Sequence, residues 1–438
     1  MSGRFERLVF YALLVALPLQ TRVLLFEPER FASEWLSGYV YATDVLIALV
    51  LGAWAWRWWA KRRSITIDPI ALGGLALLGI STLSLLWAAD VPVAAFRTIK
   101  LAEYLVFFMY VGRTLPNYSL RTVVAVFVGG ALVQAGIGLA QFYRHASVGL
   151  GLLGESPLAV AMPGVAEVVV STGRFLRAYG TFPSPNVLAA YLGIALLCSM
   201  LWYALARRRT PARLAVFTAA FSVLSFAFMA TFSREAYLGY ALAAFIWFSG
   251  LASLAAKGFC PRHLGLALFV FAAVNLLLLA LWFPELHGRV FESGGLAQAA
   301  VQERLLYSEV ARGLVYEQPW GVGAGNFTLV YGQLYAGLPG WMYQPAHNVF
   351  LLVAVELGVA AMALVLFIVA RLGAAAAYGM RLSGERRLVA LFLASAFGML
   401  VVISLSDHFF WTLQQGALLF WLVLGMLYAY ARTPVLKL

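Results

Sequence analysis

Long apolar runs alternate with short polar connections along almost the whole chain. A membrane-spanning helix needs roughly 20 mostly apolar residues, because its backbone must cross a hydrocarbon layer about 30 Å thick. Twelve runs fit this length, although Arg97, Lys100 and Glu103 interrupt the fourth. The pattern predicts an all-α polytopic membrane protein with about 12 transmembrane helices, at residues 5–25, 39–59, 69–89, 94–112, 121–142, 186–206, 214–232, 235–256, 264–283, 347–370, 387–405 and 410–431.

Composition supports the same class of protein. Of the 438 residues, 63% are hydrophobic and only 11% are charged, whereas soluble domains carry about 25% charged residues. The first apolar run has no small-residue cleavage site, so we expect a retained span instead of a signal peptide. Cys198 and Cys260 lie far apart, which argues against a disulfide framework or a zinc site.

The distribution of basic residues predicts the orientation. Twenty of the 31 Lys and Arg residues fall in one set of alternate connections, including Arg207-Arg208-Arg209, and 11 fall in the other set. Cytoplasmic loops carry the excess of Lys and Arg. We therefore expect both termini to lie on the cytoplasmic side of an inner (cytoplasmic) membrane.

Two connections are long and both fall on the outer, periplasmic side. The second contains an amphipathic helical stretch at 296–316 and a glycine-rich segment, PWGVGAGNF, at 319–327. Long ordered loops are usually functional, so we expect a helical cap on the outer leaflet. A tight hairpin is expected between the seventh and eighth spans. The predicted division is 1–142 (spans 1–5), 143–185 (periplasmic loop), 186–283 (spans 6–9), 284–346 (periplasmic helical cap) and 347–438 (spans 10–12).

Among the 11 basic residues on the outer side, where positive charge is disfavoured, four arginines are candidates for a functional role. Arg177 opens the segment RAYGTFPSPN, Arg234 lies in the predicted hairpin, and Arg304 and Arg312 share one face of the amphipathic stretch. An ion pair could make each of them structural, since Glu235, Glu303 and Glu309 are available as partners. Alternatively, guanidinium groups are suited to bidentate phosphate recognition, and together they would form a metal-free pyrophosphate clamp.

His347 is the histidine with the most suggestive context. It lies in YQPAHNVFLL, next to Asn348 at the predicted start of the tenth span. The positive end of a helix dipole disfavours protonation of an imidazole, and a neutral imidazole suits a general base. A structural role is the alternative. For His408, which follows Asp407 in SDHFFW, a hydrogen-bonded residue at the membrane rim is favoured over a catalytic one.

Familiar metal and nucleotide motifs are absent from the sequence. It contains no His-Glu-x-x-His, no Gly-x-Ser-x-Gly and no Walker-type phosphate loop. The GVGAGN run follows a predicted helix and lies on the outer side, away from ATP. We therefore expect no cofactor and no metal.

These motifs together resemble the O-antigen ligases and their relatives, the O-antigen polymerases and protein O-oligosaccharyltransferases. The resemblance rests on His347-Asn348 followed by Gly358, on Arg234 with Leu238, on the stretch from Arg304 through PWGVGAGNF, and on RAYGTFPSPN with Arg177. Ala361 departs from the family pattern, which usually has Gly, Thr or Tyr at that position. The likeness covers roughly residues 175–431, and the first half only in topology.

The resemblance implies a membrane-embedded, GT-C-like, metal-independent inverting glycosyltransferase. Its donor would be a glycan on undecaprenyl pyrophosphate, and a ligase would transfer that glycan to a lipid A-core hydroxyl in lipopolysaccharide biosynthesis. His347 would be the catalytic base, with Arg177, Arg234, Arg304, Arg312 and Asn348 binding the substrate. A polymerase or protein O-oligosaccharyltransferase of the same family is one alternative. A lipid-linked glycan transporter is another, from a different class. No nucleic-acid partner is expected.

Overall fold

The fold is almost entirely helical. A computed structural model describes residues 3–28, 33–61, 67–170, 173–206, 210–256, 262–282 and 295–433. The N-terminal half contains α1 (Gly3–Ala16), β1 (Arg22–Phe26), β2 (Gly38–Tyr41), α2 (Ala42–Ala60), α3 (Pro69–Leu83), α4 (Val91–Thr114), α5 (Leu120–Arg144), β3 (Glu167–Val170) and β4 (Gly173–Leu176). The rest contains α6 (Pro185–Ala204), α7 (Pro211–Met229), α8 (Arg234–Ala256), α9 (Arg262–Leu281), α10 (Gly295–Glu317), α11 (Phe327–Leu334), α12 (Val349–Leu357), α13 (Val359–Gly379), α14 (Gly384–Ser404), α15 (Phe409–Thr412) and α16 (Gln414–Arg432).

Many helices begin at a side-chain cap in the sequence. The side chains of Asp68, Asp90 and Ser184 accept hydrogen bonds from backbone amides in the first turn of α3, α4 and α6. Proline occupies one of the first two positions of each of these helices, where its missing N–H costs nothing. Such caps satisfy amides that have no partner within the helix, so these helices start sharply.

Within the described residues, eight helices are long and apolar enough to cross a membrane, as in an all-α polytopic membrane protein. They are Pro69–Leu86, Leu120–Arg144, Pro185–Ala204, Pro211–Met229, Arg234–Leu254, Val359–Gly379, Gly384–Ser404 and Gln414–Arg432. The run predicted at 5–25 is wrong as one spanning helix, because α1 ends at Ala16 and residues 22–26 form β1. The runs predicted at 39–59, 94–112 and 264–283 form helices α2, α4 and α9, which are not among these eight. A total of twelve spans therefore stays a prediction. Two antiparallel β-hairpins, β1–β2 and β3–β4, were not expected.

The predicted tenth span, 347–370, is wrong as one continuous helix. The chain forms the nine-residue α12, breaks at Gly358 with φ 91° and ψ 168°, and continues as α13. The glycine-rich segment explains the break, since the amides of Val322 and Gly323 donate to the carbonyls of Val355 and Glu356 at 2.9 Å each. A β-carbon on Gly358 would lie 2.7 Å from the Pro319 carbonyl oxygen, so only glycine fits here.

Charges in α4 are neutralised inside the bundle. The Lys100 ammonium lies 2.6 Å from an Asp44 oxygen and 2.9 Å from a Glu103 oxygen. Arg97 donates to the backbone carbonyls of Trp35 and Thr412. Charged groups in a membrane protein are tolerated when they pair and face the interior. The interruption of the fourth apolar run is thus compatible with a buried helix.

Two helices, α6 and α16, form the centre of the bundle, since 94% of the residues in the apolar stretch of each are buried. Cys198 in α6 is buried and free, and Cys260 lies outside the described residues. The basic cluster 207–209 also lies outside them. The predicted short connection is present, because α7 ends at Met229 and α8 begins at Arg234. The predicted amphipathic stretch is helical as α10.

Candidate active site

Five separate segments meet at the end of the bundle where α8 begins. The amide of Ala178 donates to the carbonyl of Ala230 at 2.9 Å, which brings the segment after β4 against the α7–α8 turn. From α10, Arg304 reaches the first turn of α8. The segment before α12 and the turn between α14 and α15 complete the cluster through ring contacts of His347 and His408.

Arg304 forms an ion pair with Glu235. Its Nη1 donates to Oε1 of the carboxylate, and the two side chains are 35% and 15% exposed. Burial alone would lower the pKa of Arg304, but Glu235 and Asp407 raise it overall. Only Nη1 is engaged in this pair, and a guanidinium group offers five N–H donors. The partly exposed group can therefore contact a second anion while it stays paired.

Arg177 is buried and begins a chain of hydrogen bonds. Its Nε donates to the Thr231 carbonyl, and its Nη2 donates to Oδ1 of Asn186 at 2.7 Å. The amide nitrogen of Asn186 then donates to Oδ2 of Asp407 at 2.9 Å. Burial lowers the pKa of Arg177, and the charge of Arg304 acts in the same direction. Arg177 and Arg304 therefore lie near enough for their charges to interact.

His347 packs between aromatic rings at the start of α12. Its ring is stacked on Tyr307 with 5.9 Å between the ring centroids, and it meets the ring of His408 edge-on with 4.7 Å between the centroids. The buried Nδ1 has no hydrogen-bond partner among the described residues. Burial, with the charge of Arg304 acting in the same direction and Glu235 acting against it, lowers the pKa of His347 to about 3. The imidazole is therefore uncharged at neutral pH, because of burial and Arg304 and not because of the helix dipole.

The other three predicted residues differ in their placement. Asn348 caps α12: its Oδ1 accepts from the Leu351 amide at 3.0 Å and its Nδ2 donates to the Leu405 carbonyl at 3.1 Å. Arg234 is half-buried at the start of α8 and makes no ion pair within the described part of the chain. Arg312 is exposed, two turns beyond Arg304 on α10, and no contact in the described ranges links it to His347.

Four residues of the cluster were not among the predicted site residues. Asn186, Asp407 and His408 join the arginine and histidine positions, and Tyr307 supports the His347 ring. A rim position was favoured for His408, but the residue is buried. Asn186 closes the segment RAYGTFPSPN and could have been noticed there. The convergence of Asp407 with Arg177 depends on helix packing, which local sequence does not reveal.

The charge around this cluster disfavours a metal ion. Ligand atoms of His347, Asp407 and His408 lie within 4.8 Å of one another. However, both Asp407 oxygens already accept hydrogen bonds. The positive charge of Arg304 also lowers the pKa of both histidines, so it would repel a cation at the same place. The cluster is better suited to bind an anionic ligand, with a histidine as the proton acceptor.

One comparison with known proteins gives a match. Residues 219–366 match a family model described as "O-Antigen ligase". That range includes Arg234, Arg304, Arg312 and His347, while Arg177 and Asp407 lie outside it. No curated protein matches the chain. The matched segment, about a third of the chain, is thus similar to the O-antigen ligases.

Proposed function

We propose that the protein transfers a glycan from undecaprenyl pyrophosphate to a lipid A-core hydroxyl at the periplasmic leaflet, by a metal-independent, inverting reaction. The observation that carries the proposal is the meeting of two arginines with one uncharged histidine. Arg177 reaches Asp407 through Asn186 by two hydrogen bonds. Asp407 in turn lies within 4.8 Å of His347, whose ring senses the charge of Arg304.

The arginines would hold the pyrophosphate of the donor. Arg304 keeps free N–H groups while Glu235 fixes one edge of its guanidinium. As the bond between sugar C1 and phosphate oxygen breaks, its electron pair moves to the diphosphate, whose negative charge increases. Fixed donors aimed at such developing charge are among the largest contributions to catalysis. This arrangement would replace the metal ion that many phosphate-handling enzymes use.

His347 would remove the proton of the acceptor hydroxyl as its oxygen attacks C1. The imidazole is uncharged and therefore able to accept a proton. Binding of an anionic donor between Arg304 and His347 would offset the positive field and increase the basicity of the ring. A positioned general base contributes roughly 10²–10⁴-fold to rate. Attack on the face opposite the leaving phosphate inverts C1.

Two relatives of this activity use the same chemistry. An O-antigen polymerase would extend the donor glycan, and a protein O-oligosaccharyltransferase would use a protein hydroxyl. A strain that lacks the protein separates the first from a ligase. Accumulation of polymer on the carrier lipid indicates a ligase, whereas single repeats indicate a polymerase. A transporter of lipid-linked glycans, the alternative from another class, would perform no transfer in vitro.

The direct test uses the purified protein with lipid-linked donor and lipid A-core acceptor, a chelator, and no nucleotide. We expect product from the wild type and none from the His347→Ala variant. Leu305→Ala is a matched control, since Leu305 is exposed beside Arg304 and has no part in the proposed chemistry. Full activity of His347→Ala would overturn the proposed mechanism, and absence of transfer by the folded wild type would overturn the proposed function.

A further inference from the structure

His408 is buried, and its side chain makes several contacts that a residue at the membrane rim would not require. Only 4% of it is exposed. Its Nδ1 lies 2.7 Å from the hydroxyl oxygen of Thr412, and its ring meets Trp35 edge-on at 4.9 Å. The same ring contacts His347 at 4.7 Å. Three independent contacts therefore fix the plane of His408 against the proposed base.

A carboxylate stands behind His408. Asp407 accepts from the backbone amide of His408 at 2.7 Å and from Asn186 at 2.9 Å. Its Oδ1 is 4.0 Å from Nε2 of His408, and the polar atoms of Asp407, His408 and His347 lie within 4.8 Å of one another. One water with two ordinary hydrogen bonds spans roughly 4.6 Å. Each gap is thus close to the span of a single bridging water.

We propose that His408, with Asp407 behind it, is a positioning residue that stabilises the imidazolium formed on His347 during transfer. This inference rests on the proposed function. The acceptor O–H bond breaks as the new O–C1 bond forms, and the proton goes to His347. His408 and Asp407 then share that positive charge, and the proton leaves to water or to the released diphosphate. The C1–phosphate electron pair leaves with the diphosphate.

The charges around the pair explain why such support is needed. Four other groups act electrostatically on the two histidines or lie in their hydrogen-bonded surroundings: Arg304 from α10, Arg97 from α4, Glu235 from α8, and Arg177 through Asn186. Both Arg304 and Arg97 oppose a positive charge on His408. Glu235 is occupied by Arg304. Asp407 is therefore the carboxylate available to balance a proton on this side of the cluster.

The experiment measures kcat and KM for the lipid-linked donor as functions of pH in the purified full-length protein. In His408→Phe the aromatic ring remains but both nitrogens are lost. We expect kcat to fall about 10²-fold, the low end of a general-base contribution, with the donor KM changed less than twofold. The acid limb of the kcat profile should move to lower pH, because a less supported base loses its proton more readily. His408→Gln should recover part of kcat.

Two further variants keep the test decisive. Thr412→Val removes the Nδ1 partner without emptying the ring site, and should move the acid limb in the same direction by a smaller amount. His145→Asn is the control, since His145 lies outside the cluster with φ 54°, a conformation that asparagine tolerates. It should leave kcat and the pH profile unchanged.

The outcomes separate this inference from the proposed function. If His347→Ala is inactive while His408→Phe and Thr412→Val both keep the wild-type kcat and acid limb, the role of His408 is refuted alone. A loss of kcat in His408→Phe without movement of the acid limb would also overturn it, because packing alone then explains the loss. If His347→Ala is fully active, the proposed mechanism itself fails.

Discussion

The Arg304–Glu235 pair allows binding and stability to be separated by experiment. Arg304→Gln removes the charge and leaves Glu235 15% exposed without its partner. Removing one member of a fully buried pair costs about 3–5 kcal/mol. Because the Arg304 side chain is 35% exposed, solvent screening should reduce this cost to about 1–3 kcal/mol. The single variant should therefore be both less stable and inactive, for two different reasons.

The double variant Arg304→Gln with Glu235→Gln distinguishes these reasons. It leaves no unpaired charge and allows an amide–amide hydrogen bond at the same place, so most of the lost stability should return. Catalysis should not return, because the donor that faces the pyrophosphate is still missing. Loss of one such donor costs about 10²–10³-fold in kcat. We expect a stable protein with a rate at least 10²-fold below that of the wild type.

Two assays are needed. Thermal unfolding of the purified protein in detergent reports stability, and single-turnover transfer from a lipid-linked donor reports the chemical step. Leu305→Gln, on the adjacent exposed position of α10, controls for a polar substitution on this helix. If the double variant transfers glycan within threefold of the wild-type rate, the pair is structural and Arg304 does not hold the pyrophosphate.

Three further predictions follow from the same geometry. Arg234→Lys should lower the rate of transfer at least tenfold, because one ammonium group cannot replace the bidentate guanidinium group. Arg312→Ala, at an exposed position, should have a smaller effect, and equal effects of the two variants in the transfer assay would contradict this ranking. The pKa of His347 is lowered to about 3, below its usual value near 6.5. Unfolding therefore takes up a proton between these values, and the apparent melting temperature should fall as pH drops from about 6.5 towards 3. His347→Gln should make the melting temperature depend less on pH, and an unchanged slope would exclude His347 as its source. Gly358→Ala should reduce the amount of folded protein in the membrane, since positive φ strain of about 1–3 kcal/mol adds to contact with the Pro319 carbonyl; normal levels of stable protein would refute the strain.

Much of the helical architecture was predictable because lipid imposes it. Spans such as 186–206 and 387–405 are continuous apolar runs between polar or proline residues, and helices form there as expected. The break at Gly358 was not predictable, since hydropathy stays high across residues 349–379. It arises from amides at 322 and 323, more than thirty residues away in the chain, that bind carbonyls at the end of α12.

The site was predictable in part for a related reason. Arg177, Arg304 and His347 were recognisable in the sequence because polar groups near the hydrocarbon layer carry an energetic cost that a function can explain. Glu235 was considered as a possible partner, and the structure pairs it with Arg304. The role of Asp407 could not be read from sequence, because its hydrogen bond to Asn186 joins residues 221 positions apart. Only the packing of α6 against α14 brings them together.

The backbone hydrogen bonds between residues 319–323 and the end of α12 have a practical consequence for the placement of tags in this protein. A peptide tag inserted there would separate amides from the carbonyls they bind and would displace the half-helix that begins after His347. The surface stretch 333–337, by contrast, is exposed throughout and begins in the last turn of α11. An epitope or fluorophore attached at that stretch should report on which side of the membrane the loop lies, while leaving the histidine where it is.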